Sequence, residues 1–598
     1  MSLKPFQARI SRIKGDLQMG KMLSAVVALV ALLAALPCMA SGPFMLEWKE
    51  GAPAPVKMLD FGPDGVGGYP VVEAEAVGRK ARLRLSYGCI PEFGDGGDFT
   101  RATSARYLGE NVDLPILPAS VDRFDVFSIT NADAYAAPLQ QGLVRYVRVR
   151  LDEPGTAVKI SSIRFENRGT HSTEQAVGSF ACSDHALNEL WRASVRTCAL
   201  SAIPARTTPL HVKTPQTNVV LGVAHAFLAD GAKRDRLVWS GDLWWAQPNM
   251  YAAFAPDSPY MPGSLRMLAE NQTPEGYIQA CPYPESHGPL AAADYGPFQS
   301  DEFAAWFVPV LASHYLYTGD LALVAELYPN LSRLVGYLLS YTNADGVFEQ
   351  RPETSKHANG LAFGTNSTHH RAYMNVLMWR VLRDAASLAD AVKNADDALR
   401  WRRAAALAEN AVRGRFVRSD GLLVDSLEDA RVGMEANALA LSVGFFSRDE
   451  SRKLLPMIDR IGHGKFQLLL VRGAFACGMP DEAIRRIREH NWLKAVSPCW
   501  KGVHTTSECM KHPTRASWGD ECHPDTALAG DLTAGILGVR PLAPGYSRFE
   551  FRPGVVDGIE WARGVVPTPS GPIRAEWRRE DGKISVNLSA PPDLVHVD

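Results

Sequence analysis

The sequence predicts a multidomain α and β fold: a central (α/α)6 barrel flanked by an N-terminal β-sandwich and a small C-terminal β domain. Three observations predict it. Apolar and polar residues alternate from about 44 to 167, helical periodicity runs from about 183 to 539 without a fixed repeat length, and alternation returns after 540. With 598 residues, 46% of them hydrophobic, the chain exceeds what one ordinary core accommodates, so several domains are expected.

At the N-terminus, Lys4, Arg9, Arg12, Lys14 and Lys21 precede an apolar run over 22–36, and Pro37-Cys-Met-Ala40 follows. A charged region, an apolar stretch of this length and a small residue predict a secretory signal peptide over 1–40, and a secreted or periplasmic protein. The run is short for a membrane span, and no other run approaches that length. A formal net charge of −2 gives no reason to expect a nucleic-acid partner. Past the signal the cysteines are Cys89, Cys182, Cys198, Cys281, Cys477, Cys499, Cys509 and Cys522, too dispersed for a disulfide framework and compatible with buried thiols. Cys499, Cys509 and Cys522 alternate with His504, His512 and His523, but no CxxC or HExxH spacing occurs, so no metal and no cofactor is expected.

The first domain, 41–175, reads as β. Val56-Lys-Met-Leu-Asp-Phe61, Ala81-Arg-Leu-Arg-Leu-Ser86, Tyr146-Val-Arg-Val-Arg-Leu151 and Val158-Lys-Ile-Ser-Ser-Ile-Arg-Phe165 alternate. Turn clusters such as Gly62-Pro-Asp-Gly-Val-Gly-Gly68 and Gly94-Asp-Gly-Gly-Asp98 separate them. Strands without intervening helices argue for a sandwich, which either binds sugar or packs against its neighbour. The second domain, 176–539, reads as helices over 183–201, 215–228, 243–255, 301–317, 321–342, 369–391, 395–416, 433–446, 449–461, 465–477, 480–491 and 524–537. Long loops are expected at 202–214, 256–300 and 343–368, and loops of such length are commonly functional. About a dozen helices with no repeat motif suit an (α/α)6 barrel, with an α-solenoid as the competing architecture. The third domain, 540–598, holds β segments at 540–553, Ile573-Arg-Ala-Glu-Trp577 and Lys583-Ile-Ser-Val-Asn-Leu588.

The chemistry concentrates in Asp230-Gly-Ala-Lys-Arg-Asp-Arg-Leu-Val-Trp-Ser-Gly-Asp242, with Trp244 and Trp245 just beyond. Carboxylates interleaved with aromatics suit a sugar pocket, where ring faces stack on the sugar and carboxylates handle hydroxyls and protons. An ion-paired turn is the alternative reading of the same residues. Asp301 and Glu302 open a helix after a long loop, either as sugar ligands or at a helix cap formed by Ser300 or Asp301. Trp244, Trp245 and Trp306 are equally readable as platforms or as core. His369 and His370 read as surface residues.

With these residues in place, the chain resembles the α-L-rhamnosidases of glycoside hydrolase family 78, or a close six-hairpin relative, over nearly all of the mature chain. The resemblance is carried by 230–242 and by Gly538-Val-Arg-Pro-Leu-Ala-Pro-Gly-Tyr546. In that family such a stretch carries an Asp, an Arg, an acidic proton donor, a Trp and a final Asp, and Asp230, Arg234, Asp235, Trp239 and Asp242 match those positions. The resemblance implies that Asp235 protonates the glycosidic oxygen, that Asp230 and Asp242 hold rhamnose hydroxyls, and that Trp239 walls the sugar. His504-Thr-Thr-Ser-Glu508 resembles the segment ending in the catalytic base, with Glu521 as the rival base. Ser517-Trp-Gly-Asp-Glu-Cys-His523 resembles the segment lining the subsite, with His523 as a sugar ligand. The catalytic pair is thus Asp235 and Glu508; the substrate-binding set is Asp230, Arg234, Trp239, Asp242, Trp244, Asp301, Trp306, His504, Glu521 and His523. One departure stands out: the family donor is usually Glu, and Asp235 is one methylene shorter and intrinsically more acidic.

The implied activity is that of an exported inverting exo-glycosidase removing terminal α-L-rhamnose from a glycan or glycoside. Two alternatives share the scaffold. A lyase acting at a rhamnose–uronic acid bond would use Lys233, Arg234, Arg236 or His504 to quench the uronate. A catalytically silent sugar-binding protein would account for the Asp-for-Glu change. Ser/His/Asp, P-loop and dinucleotide motifs are absent from the sequence.

Overall fold

The computed structural model describes residues 42–88, 124–137, 141–166, 175–213, 218–223, 225–232, 238–280, 300–349, 371–458, 464–494, 496, 503–507 and 522–597. The N-terminal β region holds β1 (Phe44–Trp48), β2 (Val56–Asp60), β3 (Val66–Ala76), β4 (Ala81–Gly88), β5 (Phe124–Ile129), β6 (Asp133–Ala136), β7 (Gln141–Val144), β8 (Tyr146–Leu151) and β9 (Thr156–Glu166). They form two antiparallel sheets, ordered β1-β9-β3-β6, with β7 also on β3, and β2-β8-β4-β5. Strand β8 shows why: its sequence alternates, so Val147, Val149 and Leu151 are buried while Arg148 and Arg150 lie at the other face. Leu83, Leu85, Val147 and Val149 of one sheet and Val72, Val158, Ile160 and Ile163 of the other share one apolar cluster. The two sheets therefore face each other, and each such side chain contributes about 1.5–3 kcal/mol on burial.

After β10 (Ser179–Cys182) come α1 (His185–Ser201), β11 (Ala202–Ile203), β12 (Arg206–Lys213), β13 (Asn218–Val223) and β14 (Phe227–Leu228). Here the structure corrects the sequence reading twice. The expected helix over 215–228 is two strands, and the expected loop over 202–214 is two more. Strand β13 pairs antiparallel with β12, and β11 with β14. The run Val219-Val-Leu-Gly-Val223 is rich in β-branched residues and interrupted by glycine, and a partner strand decides such a run in favour of β.

The helices that follow are α2 (Ser240–Ala253), α3 (Tyr260–Glu270), α4 (Asp301–Thr318), α5 (Leu321–Leu339), α6 (Ala372–Ala391), α7 (Ala395–Arg415), α8 (Met434–Ser442), α9 (Arg448–Leu454), α10 (Gly464–Ala476), α11 (Pro480–Glu489) and the short α12 (Ala529–Leu532). Helix α3 lies in the stretch 256–300 read as loop. The last expected helix, 524–537, is a 3-10 turn at Pro524–Thr526, then α12, then a π turn at Thr533–Leu537 closed by Gly538 with φ of 95°. Helix α4 starts where Ser300 accepts a hydrogen bond from the Phe303 N–H at 3.2 Å and stops at Gly319, whose φ is 69°.

Helices α2, α4, α6, α8, α10 and α12 each pack against the next, and α12 returns to α2, so the six close into a ring. The remaining helices flank it: α1 on α2, α3 and α5 on α4, α7 on α6, α9 and α11 on α10. Burial explains the division. Helix α4 is buried on every face from Asp301 to Leu311, whereas α7 buries one stripe through Ala398, Trp401, Ala405, Ala408 and Val412. The N-terminal ends of the ring helices gather at one end: the ring of Trp239, which caps α2, lies 5.5 Å from that of Phe303 in α4, and Tyr373 of α6 lies 6.1 Å from Phe466 of α10.

The chain ends in β15 (Val539–Pro541), β16 (Arg548–Phe551), β17 (Trp561–Val566), β18 (Ile573–Glu580), β19 (Lys583–Ser589) and β20 (Val595–Val597). One sheet is ordered β15-β16-β20, the other β10-β17-β18-β19. Strand β10, which precedes the helices, is thus an edge of the C-terminal sheet, with Ser179 opposite Val565 and Cys182 opposite Ala562. The sheet docks on the helices through fully buried Trp577, whose indole N–H donates to the Ile536 carbonyl at 2.8 Å. Cys182, Cys198, Cys477 and Cys522 are buried, while Cys89, Cys281, Cys499 and Cys509 lie outside the described residues. Among the described residues no helix is long and apolar enough to cross a membrane.

Candidate functional site

Three of the residues singled out in the sequence converge at the end of the ring where the helix N-termini meet. Asp230 follows β14, Asp242 sits in the first turn of α2, and His523 immediately precedes the 3-10 turn at Pro524–Thr526. His523 is fully buried; its Nε2 lies 3.5 Å from Asp230 Oδ2 and its Nδ1 lies 3.9 Å from Asp242 Oδ1. A fourth group completes the cluster: Asp525, also fully buried, brings Oδ1 to 2.7 Å from His523 Nδ1. The positive end of the α2 dipole favours the Asp242 carboxylate where it stands. Donor atoms of Asp242, His523 and Asp525 lie within 4.8 Å of one another, a spacing a cation accepts as readily as a sugar hydroxyl network does.

Backbone bonds tie the segments of this cluster together. The Ala232 N–H donates to the Cys522 carbonyl at 3.1 Å, and the His523 N–H to the Thr506 carbonyl at 2.8 Å. The Thr506 hydroxyl in turn donates to the His523 carbonyl at 2.9 Å. Arg234, Asp235, Glu508 and Glu521 lie outside the described residues, as do His369 and His370. Their flanks are described: Ala232 and Val238 bracket the first pair, Ser507 and Cys522 the second, and backbone bonds join Ala232 to Cys522 and His523 to Thr506.

The other sequence-predicted residues divide by environment. Trp239 is buried edge-on against Phe303 beside the cluster. Asp301 is fully buried and accepts a hydrogen bond from the Tyr337 hydroxyl at 3.1 Å, while Ser300 caps the helix. Next to it, Glu302 borders Tyr373, and burial together with that carboxylate pushes the Tyr373 phenol well above its ordinary value. Trp306 is fully buried, its ring 4.5 Å from Trp244 and 5.2 Å from Trp245, which is the core alternative read in the sequence. Trp244 also lies under the Arg472 guanidinium at 5.4 Å. A cavity of about 420 Å³ opens beside Trp244, between the later turns of α4 and α6, Arg472, Asp531 and Pro544. It shares Trp244 with the predicted set and none of the other predicted residues. His504 is part-buried and faces the N-terminal β region, with Nδ1 3.5 Å from Asp64 Oδ1.

Residues missed in the sequence also lie at this end of the ring. Asp525 is the clearest, and its spacing two residues after a candidate ligand histidine was the available signal. Glu435, in the first turn of α8, is held above the ordinary carboxylate range by burial and the nearby Asp425, with Arg371 opposing. Nothing in the local sequence of Glu435 distinguishes it from a helix-start carboxylate.

Two family models match the chain: the bacterial alpha-L-rhamnosidase six-hairpin glycosidase domain over residues 216–463, and the bacterial alpha-L-rhamnosidase C-terminal domain over 538–595. No curated protein matches. Among solved structures, the GH78 family rhamnosidase of Bacillus sp. GL1 superposes with a TM-score of 0.69 at 17% identity, covering 93% of this chain and 54% of that one. The alpha-L-rhamnosidase from Dictyoglumus thermophilum gives 0.66 at 14%, covering 94% and 58%. The rhamnosidase from Klebsiella oxytoca with rhamnose bound gives 0.59 at 17%, covering 82% and 88%. The chain spans little more than half the length of the first two, and at these identities the likeness is one of fold. The chain thus carries the six-hairpin glycosidase and C-terminal domains of bacterial alpha-L-rhamnosidases.

Proposed function

We propose that this protein is an exported, inverting exo-α-L-rhamnosidase, whose six ring helices and their flanking partners form an (α/α)6 barrel behind an N-terminal β-sandwich. The observation that carries this reading is the buried cluster of Asp230, Asp242, His523 and Asp525, tied by backbone bonds to the flanks of the segments bearing Asp235 and Glu508. Three carboxylates around one imidazole, walled by Trp239, supply acceptors and donors for the hydroxyls of a single terminal sugar. Asp235 protonates the leaving oxygen, and Glu508 takes a proton from the water that attacks the anomeric carbon from the opposite face. The buried C1–O bond breaks as the C1–OH bond forms, and the product is the β-anomer. The charged, apolar and small-residue succession at the N-terminus supports export through a signal peptide over 1–40.

The test is to follow the anomer released from an α-L-rhamnoside by proton NMR, with Asp235→Asn and Glu508→Gln alongside. β-L-Rhamnose appears first in the wild type, and each variant loses roughly 10²–10⁴-fold in rate, the range of general acid–base catalysis. Absence of rhamnose release from simple rhamnosides and rhamnose-capped glycans overturns the proposal. An unsaturated, ultraviolet-absorbing product would mark a lyase instead.

A further inference from the structure

The turn Gly62-Pro-Asp-Gly-Val-Gly-Gly68 belongs to the N-terminal β region, yet it also contacts α1 and the 503–507 segment. The His504 N–H donates to the Pro63 carbonyl at 2.7 Å. Asp64 Oδ1 lies 2.8 Å from Arg196 Nη2 and 3.5 Å from His504 Nδ1. Arg196, on α1, completes the link by donating to the His504 carbonyl at 2.7 Å. One residue on, Gly65 has φ of 64°, and a Cβ there would meet Val503 Cγ1 at 2.8 Å, so the turn and the 503–507 segment touch backbone to side chain. Val503 and Cys522 share a small apolar cluster with Leu143 of β7 and with Ala232. From the helical side, the Thr506 N–H donates to Thr197 Oγ1 of α1 at 2.9 Å.

We propose that the 62–65 turn is a positioning element of the catalytic centre: Asp64, acting through Arg196 and His504, holds the segment that leads to Glu508. The N-terminal β region is then more than a passive packing partner, because it holds the 503–507 segment. Arg196 has little water to solvate it; burial pulls its guanidinium below the ordinary value, and Asp64 is the first charge that opposes this. Removing the carboxylate takes away its contact to His504 Nδ1 and the charge that holds Arg196 against the His504 carbonyl. Asp64 itself is well exposed, so its replacement does not threaten the fold. The identity of Glu508 as base rests on the rhamnosidase reading; the clamp on 503–507 does not.

The experiment therefore has two readouts on the full mature chain, with Asp64→Asn and Asp64→Glu. Hydrogen exchange at the His504 amide reports the clamp directly, and kcat and KM on an aryl α-L-rhamnoside report its consequence. In Asp64→Asn, exchange at His504 accelerates about tenfold while β18 and β19 keep wild-type protection, and kcat falls about tenfold with KM within about threefold, since a displacement near 1 Å costs up to about a hundredfold. Asp64→Glu, which keeps the charge, recovers part of both. Wild-type exchange at His504 in Asp64→Asn overturns the proposal, as does faster exchange with unchanged kcat. If the wild type turns over no rhamnoside, the functional reading fails, and exchange at His504 still decides whether the clamp exists.

Discussion

Asp525→Asn isolates the least conspicuous member of the site. In the wild type both Asp525 and His523 are fully buried, and 2.7 Å separates the carboxylate from Nδ1. That contact holds the ring with Nε2 facing Asp230 at 3.5 Å. Asparagine keeps the shape and removes the charge, so the perturbation is electrostatic and orientational, with little change in volume. Leaving a buried polar group without its partner costs about 1–3 kcal/mol, and taking about 2 kcal/mol as the ordering lost gives roughly a thirtyfold drop in affinity. Supporting carboxylates behind metal-bound histidines cost a similar 10–100-fold when removed, on the order of the same figure. Titration calorimetry with L-rhamnose gives the change in Kd, kcat/KM on an aryl rhamnoside the change in turnover, and the thermal midpoint controls for folding. An Asn variant within about threefold of wild type in both Kd and kcat/KM, with its midpoint preserved, refutes the idea that Asp525 orients His523.

Two further outcomes follow from the helices. The Asp320 carboxylate, which caps α5 through the Leu323 N–H at 3.0 Å, is held down at about 2, first by His314 and then by that backbone bond. A carboxylate lowered in the folded state stabilises it above the unfolded value and loses that contribution as pH falls, here from about 4 to about 2. Asp320→Asn should therefore flatten the acid limb of the thermal midpoint between pH 4 and 2, and an unchanged slope there would count against the cap. Glycines supply a pair of opposite sign. At Gly530 a Cβ would meet the Pro248 backbone at 2.5 Å where α12 crosses α2, so Gly530→Ala lowers stability by about 1–3 kcal/mol through overpacking. At Gly336, exposed on α5 with nothing within 4 Å, Gly336→Ala raises it by about 0.8–1 kcal/mol. Differential scanning calorimetry of both variants checks the signs, and the same sign for both would refute the steric argument.

The succession of strands, helices and strands was legible because amphipathic period is local: 146–151 and 395–416 read as the elements found there, within a residue. The segments that misled are those a distant partner decides. Val219-Val-Leu-Gly-Val223 became a strand because Arg206–Lys213 lies alongside, and Ser179–Cys182, for which the sequence suggested no element, became one because it pairs with Trp561–Val566. The terminal stretch 524–537 broke into three short turns where α12 crosses α2 at Gly530. For the site, Asp230, Asp242 and His523 were legible through the unusual mix of acids and aromatics and through the family resemblance. Asp64 left no pattern of its own, and Asp525 left only its spacing two residues after His523.

The pairing of Ser179–Cys182 with Trp561–Val566 has a consequence for how the molecule is made. On the ribosome the β10 segment emerges before any of the ring helices, but its partner appears only after all of them. The bond network at this seam, including the Ser183 N–H to the Trp561 carbonyl at 3.1 Å and the Glu560 N–H to the Ser183 hydroxyl at 2.8 Å, is therefore among the last to form. Contacts of such sequence separation are slow to close and leave an unpaired edge exposed in the meantime. A nascent chain that has released its ring helices but not yet Trp561–Val566 would carry an open strand edge, and that intermediate is where aggregation and proteolysis should compete with folding.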